Sequence, residues 1–204
     1  MTNTAESETS VLDARAMDLL FREARTANAF TDDPVTDDDI QALYELIKWG
    51  PTAFNQQPLR GVVVRSEEAR ARLVPLMWES NQGKVAGAPA VLILAANNDF
   101  HEHLPEQFPV FPEAKDVFFS EREARQASAI VNTSLQIGYL ILGIRALGFA
   151  AGPMNGFDSE AVSKEFFSGQ DVQALVVVNI GKPGPNAWFP RLPRLTFEQV
   201  FEVV

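Results

Sequence analysis

Apolar residues recur at helical spacing over residues 11–28, where Leu12, Ala16, Leu19 and Leu20 share a face, and this predicts a first helix. The stretch "TDDPV" ends it, with Pro34 as punctuation. Thr36 then reads as an N-cap, with Asp37, Asp38 and Asp39 suited to the first turn of a second helix. That helix buries Ile40, Leu43, Leu46 and Ile47 and stops at Gly50-Pro51. Residues 60–65 read as a strand, 67–77 as a short helix and 90–96, apolar throughout, as a buried strand. From 120 to about 147 runs the longest predicted helix, opened by a capping-box pair, Ser120 and Glu123. Its apolar residues nearly circle it, which predicts burial on all sides, with cover by a second subunit favoured over a core helix of a monomer. A glycine-studded turn, "GFAAGPMNGFD", follows. Residues 159–167 read as a helix, 173–180 as another buried strand and 196–204 as a final strand or extended arm.

Between 97 and 119 no period emerges. This stretch holds both histidines of the chain and five phenylalanines, and it reads as a long functional loop or lid with short helical pieces. His101-Glu102-His103 lacks a third ligand at metal-site spacing, so a solvated loop is the expectation there. The organisation expected is a loose tail over 1–9 and one domain over 10–204.

Composition narrows the function. No cysteine is present, which excludes disulfides, thiolate metal sites and a thiol nucleophile, and fits a reducing cytoplasm. The first ten residues are polar and acidic rather than a signal peptide, and apolar runs such as 90–96 fall short of the roughly 20 residues a membrane span needs. A net charge of −10 argues against nucleic acid or an anionic membrane as partner. An anionic ligand must be met by a local group of cations.

Neither G-x-S-x-G nor G-x-G-x-x-G occurs, so neither a hydrolase elbow nor a Rossmann dinucleotide site is supported. What remains is a scattered set of amide and phosphate binders. The loop "GPTAFNQQP" spends Thr52, Asn55, Gln56 and Gln57 on a connection that needs only a turn, as a cradle for a large polar ligand would. Arg25 and Thr26 end the first predicted helix, and Lys84 follows Asn81 by three residues. Arg191 sits between Phe189-Pro190 and Leu192-Pro193, a rigid apolar setting, and guanidinium groups bind phosphate bidentately.

Four blocks occur in order: "REARTANAFTDDPV", "WGPTAFNQQPLRGVVV", "NQGKVAGAPAVLILA", and "GFAAGPMNGFD" with "PRLPRL" closing. Through them nearly the whole chain resembles the FMN-dependent nitroreductase family. Within it, "ARTANAF", "KWGPTAFN" and "RALGFAAGPMNGFD" are similar to the malonic semialdehyde reductase-like subgroup. The resemblance implies an α+β fold, a mostly antiparallel sheet flanked by helices with a long central dimer-interface helix. It implies an intertwined homodimer with FMN at the interface, each site drawing on both chains and the C-terminal segment reaching onto the partner. Arg25, Thr26 and Asn28 would grip the flavin phosphate and ribityl chain, with Arg191 the C-terminal phosphate ligand. The family often carries cations where Asn28 and Ala24 stand, and some members a lysine where Phe189 stands, so the phosphate rests on Arg25 and Arg191. Pro51, Thr52, Asn55 and Gln57 would lie against the ring and ribityl, Asn81 and Lys84 at the pyrimidine edge, and Pro153, Met154, Asn155 and Gly156 before the reactive N5.

The implied activity is ping-pong hydride transfer from NADH or NADPH through the flavin to a second small molecule, with no side chain required as a strong acid or base. The acceptor implied by the subgroup is malonic semialdehyde, giving 3-hydroxypropionate. Two alternatives stand beside it: a nitroaromatic or quinone reductase, and a flavin-binding protein without turnover.

Overall fold

The computed structural model describes residues 11–204; the tail expected over 1–9 lies outside them. The first described helix is shorter than its pattern. A single turn, α1 (Ala14–Met17), passes into a π-helical turn over Asp18–Arg22, and the chain is irregular from Glu23. Neither turn buries a residue, and Leu12, Leu19 and Phe21 stay exposed. An amphipathic face with nothing to pack on does not sustain a helix of that length.

Next comes α2 (Asp37–Ile47), which starts as read: the Thr36 hydroxyl accepts the Asp39 amide, while the Asp39 carboxylate accepts the Thr36 amide. There follow β1 (Leu59–Val64), α3 (Glu67–Leu73), α4 (Glu79–Ala86), β2 (Ala90–Asn97), α5 (Leu104–Gln107), α6 (Ala114–Phe118), α7 (Arg122–Ala146), β3 (Ala150–Met154), α8 (Ser159–Phe166), β4 (Val172–Gly181) and α9 (Phe197–Val200). Two assignments change. Residues 150–154, read as a turn, are β3, and 196–204, read as a strand or arm, hold the single turn α9 in an exposed arm. Pro153 sits inside β3 because β3 is an edge strand and need not donate on its free side.

All strand pairings are antiparallel, in the order β1-β2-β4-β3. β2 is buried along its whole length, and its alternate residues feed two cores. Val91 and Ile93 join Leu73, Val85, Val162 and Val177 on one face, while Leu92 and Leu94 join Leu43, Ile47, Ile137 and Ile144 on the other.

α7 crosses the second face. It begins at Arg122 with Glu121 as N-cap and no capping side chain, so the box expected from Ser120 and Glu123 does not form. With Glu121 at the cap, Glu123 falls at the second helical position, one short of where a box requires it. By length and composition α7 could cross a bilayer, yet it packs on the sheet, with Asn132, Thr133 and Gln136 buried. Its burial is one-sided: Val131, Leu135 and Tyr139 are exposed, so the all-round burial read from its sequence is not met within one chain.

The stretch from 97 to 119 is a small packed unit. Phe100, Leu104, Ala114 and Phe119 are fully or almost fully buried together, with Phe108 and Phe111 against them. His101 is buried too, contrary to the solvated loop expected, and burial followed by the Arg125 charge pushes its pKa below the ordinary histidine range. The Asp171 carboxylate ties this unit to β4. It accepts from Arg122 Nε at 2.9 Å and Nη2 at 2.7 Å, and from Asn98 Nδ2 at 2.8 Å. The Arg122 hydrogen bond leads in holding its pKa below the usual carboxylate value. A depressed folded-state pKa gives stability that is present above about pH 3.9, the unfolded value, and is lost as pH falls through the folded one. Asp171→Asn is therefore expected to flatten the acid limb of melting temperature against pH; an acid limb identical to wild type would refute that role for the pair.

Candidate functional site

The structure places the candidate residues in two groups, on opposite edges of the sheet. The first surrounds β3. The Ala27 amide donates to the Ala151 carbonyl at 3.0 Å, which lays Arg25, Thr26 and Asn28 along that edge strand. The approach is close enough to exclude a side chain: a Cβ on Gly152 would lie 2.6 Å from the Ala27 carbonyl oxygen. The Asn28 amide donates to Ala187, and its side-chain amide donates to the Thr26 carbonyl at 3.2 Å. Arg191, far away in sequence, returns to the same segment. Its Nη2 donates to the carbonyls of Arg22 and Ala24, the two residues that precede Arg25 closely. The Arg25 Nε is buried without a partner, a donor held ready in a half-exposed side chain. A cavity of about 210 Å³ opens here, lined by Arg25, Arg145, Phe149, Ala150 and Trp188 among others.

The other end of β3 meets α4. Both the Trp78 amide (3.0 Å) and Asn81 Nδ2 (3.1 Å) donate to the Gly156 carbonyl. Gly156 leaves room for that bond: a Cβ would lie 2.5 Å from Asn81 Nδ2 and 3.0 Å from the Trp78 ring and would push the Asn81 amide away. Lys84, one turn beyond Asn81, accepts at its own carbonyl from the buried Asn179 side chain. Asn179 pairs with Gly152 in the sheet, so Lys84 and β3 are joined through one residue. Pro153 and Met154 end β3 half-buried, while Asn155 is exposed. Arg25, Thr26, Asn28, Asn81, Lys84, Arg191 and 153–156 thus fall around one strand, with Arg25, Thr26, Asn28 and Arg191 at one end and Asn81 with 155–156 at the other.

Pro51, Thr52, Asn55 and Gln57 are elsewhere, before β1 at the far edge. Their loop is strained. Phe54, Asn55 and Gln57 take φ of 51°, 51° and 46°, a left-handed conformation costing non-glycine residues roughly 1 kcal/mol or more each. Outward, the amides form a clasp: Gln57 Nε2 donates to Asn55 Oδ1 (3.0 Å) and Gln107 Oε1 (2.7 Å), and Asn55 Nδ2 donates to the Gln107 carbonyl (2.8 Å). Thr52 Oγ1 accepts the Gln57 amide at 3.2 Å. Phe54 wedges among Phe108, Phe118 and Phe119, with ring centroids 5.3–5.7 Å away. Gln56, unlike its neighbours, turns inward and is 2% exposed. Beside the loop a cavity of about 460 Å³ lies between α2 and β1, lined mainly by apolar side chains with Gln57, Arg60, His103 and Gln107.

Sequence reading missed Gln107, which holds two of the predicted amides. Its signal was weak, one glutamine in an unperiodic stretch. The reading also missed Asn132 and Gln136, amides in the apolar middle of the long helix, whose four-residue spacing was visible.

Comparison with known proteins adds a third line. The family model described as the nitroreductase family matches residues 21–182. A relative from Streptomyces coelicolor, provisionally described as an NADH dehydrogenase/NAD(P)H nitroreductase, is 62% identical over 194 residues, 95% of this chain and 98% of its own. Among solved structures, a provisional nitroreductase from Bacillus subtilis superposes with a TM-score of 0.84 at 23% identity, over 94% of this chain and all of that one. Another, from Exiguobacterium sibiricum in complex with FMN, gives 0.82 at 21% identity, over 96% and 99%.

Proposed function

The chain belongs to the nitroreductase family, and from that premise we propose that it is an FMN-dependent NAD(P)H oxidoreductase working as a homodimer. The observation that carries this reading is the division of the candidate residues between two edges of one sheet. The two groups lie on opposite edges of the sheet, and a two-fold pairing would bring the β3 edge of one protomer to the amide loop of its partner, so that one FMN draws on both. The exposed apolar stripe on α7 and the exposed arm, with Leu195, Phe197 and Phe201, supply surface for that pairing.

The residues present fit the group. Arg25 and Arg191 supply guanidinium donors for a phosphate, and the unpartnered Arg25 Nε is the orphan such a ligand would satisfy. Asn81 holds the Gly156 carbonyl and fixes the backbone of 153–156 where a flat ring must come close. Lys84 would set a positive charge near that ring's edge and favour a reduced, anionic form. FMN, when bound, supplies hydride transfer, taking the hydride from a nicotinamide and passing it to a second small molecule. The chain's work is to bind, orient and bias. Relatives described as NAD(P)H nitroreductases support the nicotinamide donor.

For the acceptor we favour a small carbonyl compound of the malonic semialdehyde type, which would yield 3-hydroxypropionate. The insert supports it. Phe108, Phe111 and Phe119 are committed to a small core with Phe100 and Leu104, which leaves of the stretch's five phenylalanines only the half-exposed Phe118 free to meet a flat aromatic guest. A nitroaromatic or quinone acceptor is the second reading, favoured by the relatives' descriptions. The ratio of kcat/KM for malonic semialdehyde to that for a nitroaromatic and a quinone separates the two.

The first test is an absorption spectrum of the purified protein, before and after anaerobic NADH or NADPH. Flavin bands that bleach are expected; a protein that stays colourless after incubation with FMN would overturn the reading. Arg191→Ala is expected to weaken FMN binding by about tenfold or more, since a hydrogen bond to a charged group contributes roughly 1.5–3 kcal/mol. Fluorescence titration measures it, and unchanged affinity would remove Arg191 from the phosphate site.

A further inference from the structure

Ser128, Asn132 and Gln136 stand four residues apart on α7 and so share one face. Each bonds the segment that runs from the amide loop into β1. Asn132 Oδ1 accepts the Ala53 amide at 2.8 Å, where the loop enters its left-handed stretch. Gln136 Oε1 accepts the Leu59 amide at 3.0 Å, where β1 begins. Between them Ser128 Oγ and the inward Gln56 amide exchange bonds of 2.9 and 3.1 Å, and Asn132 Nδ2 reaches Gln56 Oε1 at 3.3 Å. Gln56, Asn132 and Gln136 are 2%, 4% and 6% exposed. Buried polar side chains in a helix persist where each has a partner, and here each of the three bonds the loop or the strand after it, Asn132 also donating back to the Ser128 carbonyl at 2.9 Å.

We propose that Ser128, Asn132 and Gln136 are positioning residues that template the amide loop, fixing Thr52, Asn55 and Gln57 in the conformation that meets the flavin. The proposal rests on the FMN reading above. The loop is a poor conformation for its own residues, since Phe54, Asn55 and Gln57 all hold positive φ. Something must over-determine it, and the ladder does so at both ends and the middle. The exposed apolar stripe of Val131, Leu135 and Tyr139 stands three residues on from each of these side chains and so flanks them on α7, and one rigid helix would set the loop relative to the partner whose cofactor it meets.

The test uses Asn132→Leu, which removes both amide functions at similar volume, and the pair Ser128→Val and Ser128→Thr, which differ only in the hydroxyl. Two readouts are taken: amide hydrogen exchange over residues 53–59 in the protein without cofactor, and FMN affinity with the visible flavin spectrum. In Asn132→Leu and Ser128→Val, exchange over 53–59 is expected to accelerate while that of β2 holds. FMN affinity is expected to fall about tenfold, the worth of one or two net hydrogen bonds, with a changed flavin band shape. Ser128→Thr is expected to restore both. Wild-type exchange and wild-type FMN affinity in the folded variants would overturn the proposal, and Ser128→Val decides alone if Asn132→Leu does not fold. A wild-type protein that takes up no FMN would overturn the functional reading instead, and the exchange data would still report whether the ladder holds the loop.

Discussion

Gly152→Val is expected to lower the melting temperature by roughly 6–12 °C and to yield protein without flavin. The Cβ of any residue at 152 would lie 2.6 Å from the Ala27 carbonyl oxygen, and the obstructing atom is backbone. A side chain could swing aside; this oxygen moves only if the whole 24–28 segment leaves β3. The Ala27–Ala151 hydrogen bond goes with it, as does the footing of Arg25, Thr26 and Asn28. Overpacking of this kind costs about 3 kcal/mol, which at this chain length corresponds to the melting shift given. Gly83→Ala is the contrast. Its Cβ would meet nothing within 4 Å, and it lies in α4 between Asn81 and Lys84. There alanine is expected to stabilise by up to about 1 kcal/mol through helix propensity. Thermal melts of the two variants, with the flavin-to-protein absorbance ratio after purification, test the account. A Gly152→Val protein that melts with wild type would mean the 24–28 segment does not depend on β3.

How much of this could be read in the sequence depends on whether the signal was local. β2 was legible because seven consecutive apolar residues, 90–96, have only one place in a fold, and α2 because Thr36 and Asp39 cap each other across a single turn. β3 was not. Its five residues include a glycine and a proline, which read as a turn until the edge position that tolerates them is known. Helix α4 has no amphipathic period and buries only Val85. His101 read as solvated because its neighbours Glu102 and His103 are polar; its burial beside Phe100 and Leu104 comes from the small core those residues share with Phe119. At the site, residues picked out by type are brought together by the fold, Arg25 and Arg191 at one segment and Asn81 and Gly156 in one bond. Residue types carry no information on which chain supplies which group. That the amide loop and β3 occupy opposite edges is a matter of strand order, and strand order is set by long-range pairing.

That separation gives the second large effect. Leu135→Glu is expected to turn the dimer into a monomer and to abolish FMN binding, although residue 135 belongs to neither group of candidate ligands. In the single chain Leu135 is 49% exposed and stands between Val131 at 61% and Tyr139 at 44%, with Ser134 and Gly138 beside them. A glutamate there would be tolerated by an isolated protomer, since the side chain can reach water. Covered by a second protomer, Val131, Leu135 and Tyr139 would each contribute roughly 1 kcal/mol by burying the half still exposed, and the glutamate would bring an uncompensated charge into the same place. The substitution thus acts on association far more than on folding. A monomer keeps every candidate ligand, but keeps the β3 group and the amide loop apart. Light scattering together with FMN titration separates the possibilities. A folded monomer without FMN affinity is the expected result. A monomer that binds FMN as tightly as wild type would mean that one chain completes the site, and the β3 group alone would then have to account for the affinity. A dimer unaffected by the charge would place the subunit contact away from α7.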